Sequence, residues 1–261
     1  IKKLDVLNPK SFLGDASLIK NRRVVRFSRL GKQLSLYLDD GRILHFHLKM
    51  TGQLIYVSDT LKAFGHPTKD MFSGNLPNKS TRVVFFLDDD TKLYFNDQRK
   101  FGWIRLFSES ELAEFQKDLG LDILDPAFNT DYFYHQLQSS SRPIKTVLLD
   151  QSKFAGIGNI YANDALFLAK INPLSPANKI SSKDSQKIHS AVVNIIKESI
   201  AHGGSTARDN KYIRPDGSFG SHQYHFRVYQ RAGEPCPVCS APIKRLSLSG
   251  RSVFYCPSCQ K

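Results

Sequence analysis

Over its first hundred residues the chain alternates apolar and polar positions with a period of two. Leu34, Leu36 and Leu38 fall in one run and Leu44, Phe46 and Leu48 in the next, followed by runs at 53–57, 82–87, 92–95 and 103–107. Alternation of this kind gives a strand one face for a core and one for water, so the pattern predicts antiparallel sheets, closed as a sandwich or a barrel. Asp39-Asp40-Gly41 and Asp88-Asp89-Asp90 supply turn chemistry between the runs. Residues 62–80, rich in Gly, Pro, Asn and Lys, read as a mobile loop. From Glu109 the period becomes helical, with segments expected at 109–119, 131–138, 143–151, 159–170 and 182–202. The last places Ile188, Val192, Ile195, Ile196 and Ser199 on one stripe before Gly203-Gly204 stops it. An all-α domain is therefore expected to follow the β domain, and a loop at 203–222 leads into a short C-terminal hairpin.

Composition adds a partner to this outline. The 261 residues are 41% hydrophobic, enough for two ordinary cores and a small module. Thirty-seven Lys and Arg against twenty-four Asp and Glu leave a net charge of +13. The excess is uneven: residues 1–58 hold eleven basic side chains against four acidic ones, and residues 201–261 hold nine against three. Two basic regions far apart in sequence suggest two walls of one polyanion-binding groove, with nucleic acid the expected polyanion. A membrane is the poorer partner. No basic amphipathic helix stands out, and the longest apolar runs, such as 83–87, are far short of the roughly 20 residues a bilayer requires.

Cys236, Cys239, Cys256 and Cys259 are all the cysteine in the chain, spaced C-x2-C-x16-C-x2-C with Arg251 inside the bracketed loop. Two such knuckles joined by a hairpin bring four thiolates within tetrahedral reach of one structural zinc ion, which can fold a segment too small for its own core. Disulfides or a redox CxxC are the alternatives. Neither a secretory leader nor a strand–helix redox context supports them, and a reducing compartment is expected. Upstream, Gly156-Ile157-Gly158-Asn159 opens a helix with two glycines, which lets backbone approach a phosphate at the helix N-terminus while Asn159 offers an amide. Alone, this is also ordinary helix punctuation.

Taken together, Leu148 through Gln151, Gly158-Asn159-Ile160-Tyr161-Ala162-Asn163-Asp164-Ala165-Leu166-Phe167, Gly203-Gly204-Ser205-Thr206, Tyr229-Gln230-Arg231 and Gly250-Arg251-Ser252-Val253-Phe254-Tyr255-Cys256 resemble the formamidopyrimidine-DNA glycosylase family. The resemblance runs from the first strands to Lys261. It implies a multi-domain α+β protein: an antiparallel β-sandwich at 1–108, an all-α helix-two-turn-helix domain at 109–225 with a lesion-capping loop at 206–221, and a zinc-finger β-hairpin at 226–261. It also implies a bifunctional DNA glycosylase and abasic-site lyase that removes oxidised purines such as 8-oxoguanine and formamidopyrimidines. The partner would be duplex DNA carrying such a lesion or an abasic site, and the protein would act as a monomer in the bacterial-type cytoplasm, associated with the nucleoid.

Residue roles follow from the same resemblance. His47-Leu48-Lys49-Met50-Thr51-Gly52 and Gln98-Arg99-Lys100-Phe101-Gly102 are similar to the family's two insertion loops. Met50 would fill the hole left by the everted nucleotide, Arg99 would face the widowed base, and Phe101 would wedge beside it. Such groups offset the stacking lost on base flipping. Without the family, Met50 and Phe101 would read as ordinary core. Lys32 matches the lysine assigned as proton donor for β-elimination, and Arg251 the arginine assigned to δ-elimination, although guanidinium chemistry suits a phosphate clamp better. Arg142 and Lys145 would add phosphate contacts. Arg82 stands where the family often has histidine and would contact DNA as a donor that does not titrate. Tyr212 and Phe219 fall in the capping loop.

The family's nucleophile is a free N-terminal proline followed by glutamate on a first helix, and the sequence is expected to lack that helix, starting at Ile1 in the strand after it. A secondary amine attacks C1′ because it is unprotonated near neutral pH, whereas internal Pro9 and Pro67 have no free nitrogen. The rival reading is a non-catalytic zinc protein that senses lesions or abasic sites.

Overall fold

A computed structural model describes residues 1–58, 62–63 (backbone only), 76–88, 90–205 and 218–261. The chain divides into two compact units, one of residues 1–117 and 205–220 and the other of residues 118–204 and 221–261.

The first unit is a sandwich. Strands β1 (Lys3–Val6), β2 (Phe12–Leu13), β3 (Val24–Leu30), β4 (Gln33–Leu38), β5 (Ile43–His47), β6 (Gly52–Val57), β7 (Lys62–Ala63), β8 (Thr81–Phe86), β9 (Lys92–Asp97) and β10 (Trp103–Phe107) form two sheets. Their orders are β1-β8-β9-β6-β7 and β2-β10-β5-β4-β3. All the ladders within them are antiparallel except the two-residue pairing of β2 with β10. Leu36, Leu38, Leu44, Phe46 and Ile104 from one sheet meet Val83, Phe85 and Phe95 from the other. The Phe46 and Phe85 rings lie 6.2 Å apart across the core. Two separate sheets decide for the sandwich over the barrel.

β5 departs from simple alternation: Ile43, Leu44, His45 and Phe46 are all buried. Helix α1 (Glu109–Gln116) is the reason. It starts at a capping box between Ser108 and Glu111. Its Phe115 packs on Trp103, Phe107 and the His45 ring at 5.3–5.7 Å. That contact covers the sheet's second face and keeps α1 in the β unit, past the boundary at 108 expected from the change of period.

The second unit holds α2 (Thr130–Gln138), α3 (Ile144–Leu148), α4 (Asn159–Leu168) and α5 (Ser182–Ala201), a two-residue parallel ladder of β11 (Leu121–Asp122) with β12 (Phe154–Ala155), and a hairpin of β13 (Lys244–Leu248) with β14 (Arg251–Tyr255). One core joins Phe133, Leu137, Ile144, Val147, Leu148, Phe154, Leu166, Ile188, Val192 and Ile195. α5 ends in a Schellman motif: Gly203 (φ 68°) and Gly204 (φ 81°) take left-handed conformations. Their N–H groups donate to Ile200 O at 3.0 Å and Ser199 O at 2.7 Å. α3 is shorter than the periodicity predicts because the Asp150 carboxylate accepts from Ser152 N–H at 3.1 Å, a turn that competes with further helix.

The hairpin has little core of its own and is tied to α4. Val228, Cys236, Ile243, Phe254 and Cys256 cluster around Phe167. Asn163 Oδ1 accepts from Phe254 N–H at 2.8 Å. The buried Asp164 carboxylate accepts the backbone N–H groups of Arg227, Val228 and Tyr229, each at 3.0 Å. Asn163 and Asp164, polar residues buried in a largely apolar helix, therefore clamp the finger.

Candidate nucleic-acid interface

In the β unit, both turns singled out from sequence stand out from the surface. Met50 is 56% and Phe101 57% exposed. Neither belongs to the core, the outcome that would have removed the insertion reading. Lys49 (φ 52°) and Lys100 (φ 60°) adopt left-handed backbone. The motif glycines are required by close approach: a Cβ on Gly52 would lie 2.4 Å from Leu48 O, and one on Gly102 would lie 2.9 Å from the Phe95 ring. The Arg99 guanidinium stands 4.9 Å over the Phe101 ring, so cation and wedge share one turn.

Asp97, which the sequence reading did not single out, holds these turns together. Its fully buried carboxylate accepts from the Thr51 hydroxyl, from Arg99 N–H at 3.2 Å and from Gly102 N–H at 2.6 Å. Thr51 Oγ1 in turn accepts from Arg99 N–H at 3.1 Å. One carboxylate thus joins the Met50 turn to the Arg99–Phe101 turn. The available signal was an Asp at a strand end five residues before a motif glycine. Arg82 supports the same point: it is 8% exposed and its Nε donates to Asp97 O at 2.8 Å.

Lys32 lies exposed in the β3–β4 turn. Nearby, His47 is held down to about 4 by burial first and then by Lys49, Lys32 and His45. His45 is also lowered to about 4, by burial and the Arg105 charge. Its two ring nitrogens are engaged by Ser35 Oγ at 2.8 Å and Gln33 Oε1 at 2.7 Å. As a neutral ring, the imidazole can accept from the serine and donate to the amide oxygen.

In the helical unit, Arg142, Lys145 and Arg251 line a cavity of about 350 Å³ with Thr146, Leu149, Asp150, Leu248 and Ser249. Ser249 (φ 49°) and Gly250 (φ 74°) form the two-residue hairpin turn that presents Arg251. Lys145 is 1% exposed, and its Nζ donates to Ser252 O at 2.7 Å, the carbonyl that also accepts from Asn159 Nδ2 at 3.3 Å. Burial and the neighbouring Arg251 lower Lys145 to about 8. Arg142 pairs with Asp150 at 2.5 Å. The finger strand is therefore fastened to α3 and α4 by the same residues expected to meet phosphate. Tyr212 lies outside the described residues, as does most of the 206–221 loop; Phe219 is 54% exposed.

The four cysteine sulfurs lie within 4.8 Å of one another, with 3.5 Å between Cys239 and Cys256 and 3.9 Å between Cys236 and Cys259. A four-sulfur set at this spacing suits one structural Zn²⁺.

Known proteins show the same organisation. Three family models match: "Formamidopyrimidine-DNA glycosylase N-terminal domain" at residues 1–104, "Formamidopyrimidine-DNA glycosylase H2TH domain" at 119–211, and "Zinc finger found in FPG and IleRS" at 233–261. A formamidopyrimidine-DNA glycosylase of Desulforamulus reducens is 40% identical over 238 residues, covering 90% of this chain and 80% of that protein. The chain belongs to the formamidopyrimidine-DNA glycosylase family. Among solved members, the protein from Thermus thermophilus superposes with a TM-score of 0.84 at 33% identity, covering 99% of this chain and 90% of that one. The Lactococcus lactis member, solved as a complex with DNA containing an abasic site, gives 0.85 at 28% identity over 100% and 92%. No helix among the described residues is long and apolar enough to cross a membrane.

Proposed function

We propose that this chain is the DNA-gripping and lesion-exposing body of a DNA glycosylase and abasic-site lyase that excises oxidised purines from duplex DNA. The observation that carries the reading is the pair of exposed turns, Met50 and Arg99–Phe101, fastened to one buried carboxylate, in a chain of this family. Two large apolar side chains exposed on glycine-dependent turns are placed to enter a base stack, where they replace the stacking lost when a nucleotide swings out. Arg99 beside them offers donors to the base left without a partner.

Arg142, Lys145 and Arg251 take backbone phosphates at the cavity by the finger hairpin, where fixed cations need little rearrangement, and Asn159 at the start of α4 offers its amide to a phosphate as well. Lys32 serves as the proton donor of β-elimination, and Arg251 holds the phosphate that leaves in δ-elimination. In the family this chain resembles, the attacking amine is an N-terminal proline assisted by a glutamate, and the intermediate is a Schiff base at C1′. The bound zinc supplies fold and no step of the chemistry. The resemblance assigns Tyr212 and the 206–221 loop, most of which lies outside the described residues, to capping the everted base. The protein acts as a monomer on nucleoid DNA.

Borohydride trapping on an 8-oxoguanine duplex tests the assignment. A covalent protein–DNA adduct is expected. Tight binding with no adduct would replace the enzyme with a lesion sensor. Met50→Ala and Phe101→Ala should each weaken lesion binding by about tenfold, about 1.4 kcal/mol, as part of the few kcal/mol of unstacking goes uncompensated, while binding to undamaged duplex holds.

A further inference from the structure

A second group of metal-ligating side chains lies in the helical unit, at the C-terminal end of α5. Glu198 and His202 are four residues apart there and so share one face. His225, from the 3-10 turn His222–His225, stacks on His202 with ring centroids 3.9 Å apart. Its Nδ1 stands 3.8 Å from Glu198 Oε1. The ligand atoms of Glu198, His202 and His225 all lie within 4.8 Å of one another. The site is half-buried, and the helix C-terminus adds partial negative charge. A second observation lies beside it: His222, 1% exposed, has no hydrogen-bond partner for either ring nitrogen among the described residues. Its ring is 6.3 Å from that of His225 and 6.4 Å from that of His202.

We propose that Glu198, His202 and His225 bind a divalent first-row transition ion, distinct from the thiolate-bound zinc of the finger. Two imidazoles and a carboxylate are a borderline donor set that suits Zn²⁺, Co²⁺ or Ni²⁺, with water completing the coordination. Metal–ligand bonds of about 2 Å set ligand atoms roughly 3.3 Å apart, so binding draws the three side chains inward and unstacks His202 from His225. Arg227 opposes the ion: its Nη2 lies 3.1 Å from both Glu198 oxygens and neutralises the carboxylate in the metal-free state. Cation and guanidinium therefore compete for one group. The consequence is local to the chain's path: Ser221 N–H donates to His202 O at 2.9 Å and His222 N–H to Gly204 O at 3.1 Å, so an ion here ties together the two ends that bracket 206–217.

The test titrates Co²⁺ into the full chain with zinc in its finger, following visible absorption and calorimetry. Thiolate-bound cobalt gives an intense near-ultraviolet charge-transfer band, whereas imidazole and carboxylate give only weak visible bands. One added equivalent with visible bands and no charge-transfer band is expected. Affinity should fall at least tenfold in E198Q and H225N, and rise several-fold in R227Q, which removes the competitor. In the unsubstituted protein, side-chain ¹H–¹⁵N resonances of His202 and His225 should broaden on the same titration, a readout independent of whether any variant folds. No second equivalent by millimolar Co²⁺, broadening confined to other histidines, or weaker binding in R227Q would each overturn the proposal. None of these readouts depends on glycosylase activity.

Discussion

Replacing Asp97 probes the link between the two insertion turns. In Asp97→Ala, Gly102 N–H, in a buried position, loses a 2.6 Å bond to a carboxylate, and Arg99 N–H and the Thr51 hydroxyl lose the same acceptor. Hydrogen bonds to charged groups contribute about 1.5–3 kcal/mol each, and a buried donor left unpaired costs about 1–3 kcal/mol. Arg99 N–H keeps Thr51 Oγ1 at 3.1 Å. The net loss is thus set mainly by Gly102 and should reach about 3–5 kcal/mol for Ala. Asp97→Asn can turn its amide oxygen to Gly102 and should lose about 1–2 kcal/mol. At about 4 °C per kcal/mol for a unit of this size, the Asn variant should melt about 4–8 °C lower. The assay pairs urea unfolding, followed by Trp103 fluorescence, with binding to lesion and undamaged duplexes. The expected signature is selective: lesion affinity drops towards the undamaged value because Met50 and Phe101 lose their shared anchor, while binding to undamaged DNA through the other unit persists. An Asp97→Ala protein within about 0.5 kcal/mol of the parent, with lesion discrimination intact, would refute the reasoning.

The β unit should weaken in acid. His45 and His47 titrate near 4 when folded and near 6.5 when unfolded, so the unfolded chain binds more protons between those values and stability is lost as pH falls through that window, by up to about 1.4 kcal/mol per pH unit for each ring. Trp103, 5.7–5.8 Å from both rings, reports it, and a flat urea midpoint from pH 6.5 to 4 would contradict the assignment. Lys145 titrates near 8, so phosphate binding at its cavity should decline as pH rises through 8 and the ammonium is lost; affinity constant to pH 9.5 would remove Lys145 from the phosphate set. Arg251→Ala should weaken lesion and undamaged DNA alike and reduce the log–log salt slope by about 1; an unchanged slope would exclude a phosphate contact. Zinc chelation or Cys256→Ser should unfold the hairpin and abolish DNA binding, because the finger's small cluster around Phe167 leans on the metal. Retained affinity would show the finger to be dispensable.

Much of the architecture was legible from local pattern. The alternating runs fall on β4, β5, β6, β8, β9 and β10, and the helical stripe on α5 lands Ile188, Val192, Ile195 and Ser199 in the core. The strand expected at the start of the chain is β1, paired with β8, whereas β3 was not read, since Val24–Leu30 alternates weakly and holds its place by pairing with β4. The motifs located the turns around Met50 and Phe101, the cysteine cluster and Arg251. They did not show what fastens those groups.

Sequence alone determined the features that depend on neighbours along the chain: period-two and helical patterning, the glycine stops, and the CxxC knuckles whose spacing presupposes one ion. Only the tertiary structure decided that Asp97 joins two turns some fifty residues apart, that Asn163 and Asp164 clamp the finger, that Lys145 is buried against Ser252, and that Glu198, His202 and His225 converge. A buried polar side chain is stabilised by partners that folding brings to it from far along the chain, and no local period or spacing encodes which partners those are.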